Sequence, residues 1–188
     1  MSADVLERLR TLLHEQGGLM ATLVDPAAAV DSQATPEIAT QPTEADLAAS
    51  PGRVVAEGPR TEGRRDQYEL LVEAIYEGYL LHYGSPRVVC AQEADLGLLA
   101  GDQLYAIGLA RLVALGDTAA VAELADVITL SALAQSAGEK ELADAVWAAG
   151  ARAVGWGSSE IHAHAKELAF AGAPEAIEAM RTSAVGPP

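Results

Sequence analysis

Apolar side chains recur at three- and four-residue steps along most of this chain. Val5, Leu6, Leu9, Leu12 and Leu13 form one face of a helix within residues 3–24, a short amphipathic element. That spacing predicts a docking helix over 1–24 that engages its target through Leu6, Leu9 and Leu13. The periodicity then stops. Pro26, Pro36, Pro42, Pro51 and Pro59 interrupt a stretch of Ser, Thr, Gln and acidic residues, so no helix is expected to persist and little apolar area is available. Residues 25–63 therefore read as a flexible, Pro-rich acidic linker. So long an unstructured loop is unusual inside a compact domain, which places the first helix at a distance, with another chain as one candidate surface.

Helical spacing resumes at residue 65. Leu70, Leu71, Ala74, Ile75, Gly78, Tyr79 and Leu81 share it until Gly84-Ser85-Pro86, a stop signal. Asp95 is placed to cap the next helix, LGLLAGDQLYAIGLARLVAL, which ends at Gly116. Asp117 caps TAAVAELADVITLSALAQSA, ended by Gly138, and Glu139 and Glu141 open a helix that runs through Trp147 to the break at Gly155-Trp156-Gly157. Ser158 or Ser159 caps EIHAHAKELAFA, and Pro174 begins PEAIEAMRTSA. The fold class expected is all-α: an orthogonal or bundle-like domain of about six helices over 64–182, preceded by the N-terminal helix and linker and followed by a disordered tail at 183–188.

The helix over 95–115 is apolar or small on every side apart from Asp102, Gln103 and Arg111, a pattern that calls for burial on most sides. The helix over 118–137 is nearly as apolar. Six short helices can hardly cover both. Part of that surface is expected to meet a protein partner or a second copy in a homo-oligomer; a central helix in a monomer is the alternative.

Composition narrows the picture. The 188 residues suit one domain, half of them are hydrophobic but only 4 % aromatic, and the core must come from Leu, Val, Ile and Ala. With 12 basic and 27 acidic residues the net charge is −15, which disfavours nucleic acid and anionic membrane surfaces. Charges at Asp102, Arg111, Asp117, Glu123 and Asp126 interrupt the longest apolar stretches, so no transmembrane segment is expected. The opening MSADVLERLRTLLHEQ carries charges throughout and lacks the pattern of a secretory signal; a cytoplasmic location is the expectation. Cys90 is the only cysteine, so it forms no intrachain disulfide and reads as a buried structural thiol.

Candidate chemistry is sparse. Glu160 and His164 lie four apart on one helical face, but His162 points elsewhere and the HExxH spacing is absent. They read as a surface pair, and no metal or cofactor is expected. Neither a GxSxG turn nor a phosphate-binding or dinucleotide glycine loop occurs. Asp102, set among Leu98, Leu99, Leu104, Ile107 and Leu109, must pair with Arg87, Arg111 or Arg152, face water on a narrow polar strip, or stand at the mouth of a ligand cavity. Tyr76, Tyr79, Tyr83 and Tyr105 are core edges with wet hydroxyls or ligand contacts. Asp102, Tyr79, Tyr83 and Tyr105 are the candidate binding residues, for an apolar ligand such as a quinone or lipid. No convergent set of acids and bases is visible, so catalytic residues are not assigned and an enzyme acting alone is not expected.

LGLLAGDQLYAIGLARLVALGD followed by ELADVITLSALAQSAGE resembles the paired helices of trans-isoprenyl diphosphate synthases, with Asp102 on that family's Gly-Asp step. Upstream, LLVEAIYEGYLLHYGSP resembles the helix that carries their first aspartate-rich motif. Tyr83 and Gly84 stand where the first two aspartates would be, and no DDxxD occurs. In that family the aspartates hold magnesium ions against the diphosphate. The resemblance, over about residues 68–139, implies a non-catalytic small subunit that would complete the tunnel of an active polyprenyl diphosphate synthase. A scaffold or adaptor tethering its partner through the N-terminal helix is the other expectation: a linker of about 40 residues reaches roughly 35 Å.

Overall fold

The computed structural model describes residues 2–24 and 50–185, which form an all-α fold with no strand among them. The helices are α1 (Ser2–Gln16), α2 (Gly18–Val24), α3 (Pro51–Glu57), α4 (Arg65–Tyr83), α5 (Ala94–Ala114), α6 (Thr118–Ser136), α7 (Lys140–Trp156), α8 (Glu160–Phe170) and α9 (Ala176–Val185), with a 3-10 turn at Pro59–Thr61. The six helices expected over 64–182 are α4 to α9. Asp117 caps α6 by accepting from the Ala120 amide, and Ser159 caps α8 by accepting from the His162 amide. Asp95 is not a cap: α5 begins one residue earlier, after Glu93, with no side-chain cap.

The main core lies where α4, α6, α7 and α9 meet. Ile75, Leu112, Leu124, Val127, Val146 and Met180 are buried there, with Trp147 edge-on to Tyr76 at 4.9 Å between ring centroids. A second cluster forms over the other side of α4 and α5. Two successive glycines with positive φ, Gly17 (69°) and Gly18 (57°), separate α1 from α2, a backbone region that side chains disfavour. The resulting hairpin buries Leu6, Leu9, Leu13, Met20 and Leu23 against Ala74, Val88, Val89, Ala100 and Leu104. Arg8 bonds the Asp66 carbonyl and pairs with Glu69 at 3.7 Å, while the Cys90 amide donates to the Leu23 carbonyl at 2.9 Å. The N-terminal element is thus part of this chain's own fold, which corrects the expectation of a single helix lying elsewhere.

The linker expectation also needs correction at its C-terminal end; residues 25–49 lie outside the described residues. Ser50 accepts from the Arg53 amide, Pro51 starts α3, and Val55 is fully buried in the main core. Proline at the first turn of a helix lacks only an amide that has no intrahelical partner, so Pro51 begins structure here rather than preventing it. Gly58 lies so close to α7 that a Cβ on it would fall 2.2 Å from the Gly155 carbonyl oxygen. Thr61 donates to the Val55 carbonyl at 3.0 Å, and Arg60 reaches the Val154 carbonyl at 2.9 Å. At the other end, Ser183, Ala184 and Val185 belong to α9 rather than to a disordered tail, and residues 186–188 are outside the described residues.

Helix α5 is packed differently from the expectation. Its small residues face α4: a Cβ on Gly108 would fall 2.3 Å from Ile75 Cγ1, and one on Gly78 of α4 would fall 2.9 Å from the Gly101 carbonyl oxygen. Close backbone approach of this kind is what inward glycines permit. Leu104 and Leu112 are buried beside these glycines, but Leu98, Leu99 and Val113 are left outside, so α5 is not buried on most sides. By length and composition α5 and α6 are apolar enough to cross a bilayer, a test that buried core helices also pass; 33 % and 39 % of their most apolar windows are buried.

Candidate functional site

The outward faces of α5 and α6 carry the feature that packing leaves unexplained. On α5, Leu98 (42 % exposed), Leu99 (59 %) and Val113 (55 %) face out, together with Ala106 and Ala110. On α6, Leu133 (52 %) faces out with Ala122, Ala125 and Thr129. Single exposed apolar residues are ordinary; here Leu98 and Leu99 lie at one end of α5 and Val113 at the other, with exposed Asp102 and alanines between them, so the apolar patch is a broken one. Its charged neighbours on α5 are acidic and exposed: Asp95 and Asp102.

At the edge of that patch the structure gathers three of the four residues singled out by sequence. Tyr105 stacks on His82 with centroids 5.5 Å apart and planes 2° from parallel, and His82 Nε2 lies 3.2 Å from Asp102 Oδ1. Tyr83 leans on both His82 and Tyr79, at 5.7 and 5.4 Å. Asp102 therefore has a partner that the sequence did not suggest, and its side chain is 69 % exposed. Tyr79 turns inward, where Gln135 Nε2 donates to its hydroxyl at 2.6 Å. Burial pushes the Tyr105, Tyr79 and Tyr76 phenols up. These rings brace α4 against α5 and α6, and Tyr83 is the one that presents a large face to solvent.

Among the described residues, the depressions near them are open ones. One open depression of about 270 Å³ lies against Leu70, Leu71, Arg111 and Leu115, and another of about 290 Å³ against His82, Pro86, Ala91 and Leu98. Both fall at or below the small end of the roughly 300–1,000 Å³ typical of ligand sites. Among the described residues, no group of His, Cys, Asp and Glu is arranged to hold a metal. Glu160 is not the partner of His164, which pairs instead with Glu167 at 3.5 Å on the surface. Cys90 is exposed, not buried as expected, because the loop before α5 turns its side chain away while its amide binds Leu23. Leu6, Leu9 and Leu13, the expected docking residues, are buried inside the chain's own second cluster.

Two buried ionic clusters were missed by the sequence reading. In the first, Glu73 and Glu77 of α4 are fully buried around Arg87. Arg87 pairs with Glu73 Oε2 at 2.7 Å and with Glu77 Oε2 at 3.2 Å, while Glu77 Oε1 accepts the amides of Arg87, Val88 and Val89 at 2.7, 2.7 and 3.1 Å. Glu73 also accepts the Gly52 amide at 2.8 Å. This cluster fastens α3 and the 87–89 loop to α4. Although burial works to lower it, the two carboxylates hold the Arg87 guanidinium above its usual value.

In the second, Glu123 of α6 receives His162 Nε2 at 2.6 Å on one oxygen and Lys166 Nζ at 2.8 Å on the other. Lys166 also reaches Asp126 at 2.8 Å, and Ser183 Oγ lies 2.7 Å from His162 Nδ1. Burial would raise the Glu123 carboxyl, but the bonds from His162 and Lys166 outweigh it and leave the group below its usual value. The EAIYE spacing in α4 was the available signal for the first cluster, since two acids four apart share a helix face. Nothing in the sequence joins Glu123, His162 and Ser183, which come from three separate helices. No protein-family model, curated protein or solved structure matches the chain.

Proposed function

We propose that this chain is a helical subunit, non-catalytic in prenyl transfer, that docks onto a partner protein through the outward face of α5 and α6. The observation that carries the reading is the exposure of Leu98, Leu99, Val113 and Leu133 on two helices whose opposite faces are already packed. Large apolar patches with a polar rim are typical of interaction surfaces. The net charge of −15 on each copy opposes self-association, and Asp95 and Asp102 at the patch favour a partner with an apolar groove and basic residues around it.

The resemblance to trans-isoprenyl diphosphate synthases supplies the partner class to try first: a DDxxD-bearing polyprenyl diphosphate synthase. Tyr83 and Gly84, at the end of α4, offer no carboxylate where that family holds magnesium, in keeping with a subunit that assists rather than ionises. The adaptor reading loses its support because Leu6, Leu9 and Leu13 are already occupied within the chain. A quinone or lipid carrier is not favoured by two open, small depressions.

Co-expression with such a synthase, followed by size-exclusion chromatography and product analysis, tests the proposal. The expected outcome is a mixed complex that Leu99→Glu abolishes and a shifted product length. A chain that elutes alone, with product length unchanged, removes the synthase as partner. Tight binding to neutral-lipid vesicles that Leu99→Glu abolishes would instead assign the face to a bilayer and overturn protein docking.

A further inference from the structure

The Glu123, His162 and Ser183 cluster does more than hold three helices together: we propose that Ser183 is a base-activated hydroxyl that accepts an acyl group from activated esters. His162 is its base, and Glu123 is the residue that positions His162.

The tautomer follows from the contacts. Glu123 is ionised and lies 2.6 Å from His162 Nε2, so Nε2 carries the proton. In the neutral ring Nδ1 is then a lone pair, and it faces Ser183 Oγ at 2.7 Å. The serine hydroxyl donates to it. Lys166, held by both Glu123 and Asp126 at 2.8 Å, fixes the carboxylate without occupying the oxygen that His162 uses. His162 is 3 % exposed and Glu123 7 %, so neither is mobile in water, whereas Ser183, near the end of α9, is half-buried and within reach of a small reagent.

Nucleophile, base and orienting carboxylate within hydrogen-bond reach of one another are the arrangement that activates serine in hydrolases. Here the ring nitrogens are exchanged relative to the serine proteases: Nδ1 faces the hydroxyl and Nε2 the acid. The chemistry requires only a lone pair toward the hydroxyl and a carboxylate on the opposite N–H. In the step itself, Ser183 Oγ forms a bond to the ester carbonyl carbon as its proton passes to Nδ1. The bond from that carbon to the leaving oxygen breaks, and Nδ1–H returns the proton to the departing alcohol or phenol. An acyl-serine and a neutral His162 remain. The class of acyl donor is a small activated ester, since Ser183 is half-buried near the end of α9 and its hydroxyl points toward the buried His162 ring.

The full-length chain treated with p-nitrophenyl acetate tests this, with p-nitrophenol release followed by absorbance and the acetylated residue found by peptide mass mapping. Acetyl on Ser183 is expected, formed at least about a hundredfold faster than in His162→Gln, and no serine adduct in Ser183→Ala. A serine-directed fluorophosphonate on the unaltered chain is expected to label Ser183 as well, a result that needs no variant to fold. For Glu123, the imidazole N–H proton resonance of His162 is expected far downfield and lost in Glu123→Gln together with the labelling. Absence of any Ser183 adduct with both reagents, or equal rates in His162→Gln with its helical circular dichroism intact, overturns the proposal and leaves the cluster as a tie between α6, α8 and α9.

Discussion

The two faces of α5 differ less than those of an ordinary surface helix. Inward it buries Leu104 and Leu112 beside glycines that lie close to α4, and toward solvent it still presents Leu98, Leu99 and Val113 among alanines and aspartates. An ordinary surface helix buries its large side chains and exposes its small and charged ones. Inward glycines gain close packing at the cost of buried side-chain area, and the leucines outside gain nothing from this chain's folding. The inner face is thus tuned for close packing on α4, and the outer face is the one on which the docking proposal rests.

Filling the inner face should produce the largest effect. Gly108→Val would drive a branched side chain into Ile75, and overpacking of this kind costs about 3 kcal/mol or more where backbone must shift; urea denaturation of the variant against the parent measures it. A loss below about 1 kcal/mol would mean that α4 and α5 separate easily and the contrast is false.

Acid tests the inner side of α6 in the same spirit. Asp117, despite burial, is held low by the Ala120 amide, Tyr68 and Arg60, and Glu123 is held low by His162 and Lys166. A carboxyl depressed by folding contributes stability that is complete above its unfolded value and is lost as pH falls through the folded one. Melting temperature should therefore hold steady toward neutral pH from just above the ordinary values of 3.8 and 4.5 and fall below them. Glu123→Gln should flatten part of that fall.

On the outer face, Leu99→Glu should change unfolding free energy by no more than about 0.5 kcal/mol while weakening partner binding by tenfold or more, about 1.4 kcal/mol. Stability read by denaturation and affinity read by titration calorimetry separate the two. A strongly destabilised Leu99→Glu would show that the outer face already serves the fold. The smallest effect belongs to Asp102→Asn. Its own side chain is mostly exposed, although that of His82 is not, and a pair open to water on one side is worth at most about 1 kcal/mol, so a larger loss in a thermal melt would place Asp102 within the packed structure.

Helix α5 also shows how far sequence reasoning could reach. Its C-terminal limit was legible, as were those of α4, α6 and α7, because Gly84, Gly116, Gly138 and Gly157 end runs of apolar residues. The excess of apolar surface was legible too. Which side faced inward was not: a helix apolar all round has no period to read, and Gly101 and Gly108 revealed their role only against Ile75 and Gly78. Pro51 misled because a proline that starts a helix looks, in a row of prolines, like one that forbids it. Leu6, Leu9 and Leu13 were read as a partner-docking face and lie instead in this chain's own second cluster, because amphipathicity does not say whether the target belongs to the same chain. His82 was the missing partner of Asp102, and it sits on another helix, where spacing rules for one helix do not reach.

Gly58 against Gly155 carries a last consequence, for the order in which the chain can fold. Arg60 and Val154, joined beside that crossing, are 94 positions apart, whereas Gly52 and Glu73 are only 21 apart. α3 therefore has an early seat on α4, and only its second wall depends on α7. Contacts so distant in sequence incur their loop-closure entropy before they return any stability. On a ribosome, the half-built seat waits through the synthesis of α5, α6 and most of α7. The Gly58 crossing is then a late event, by which the finished core closes over α3.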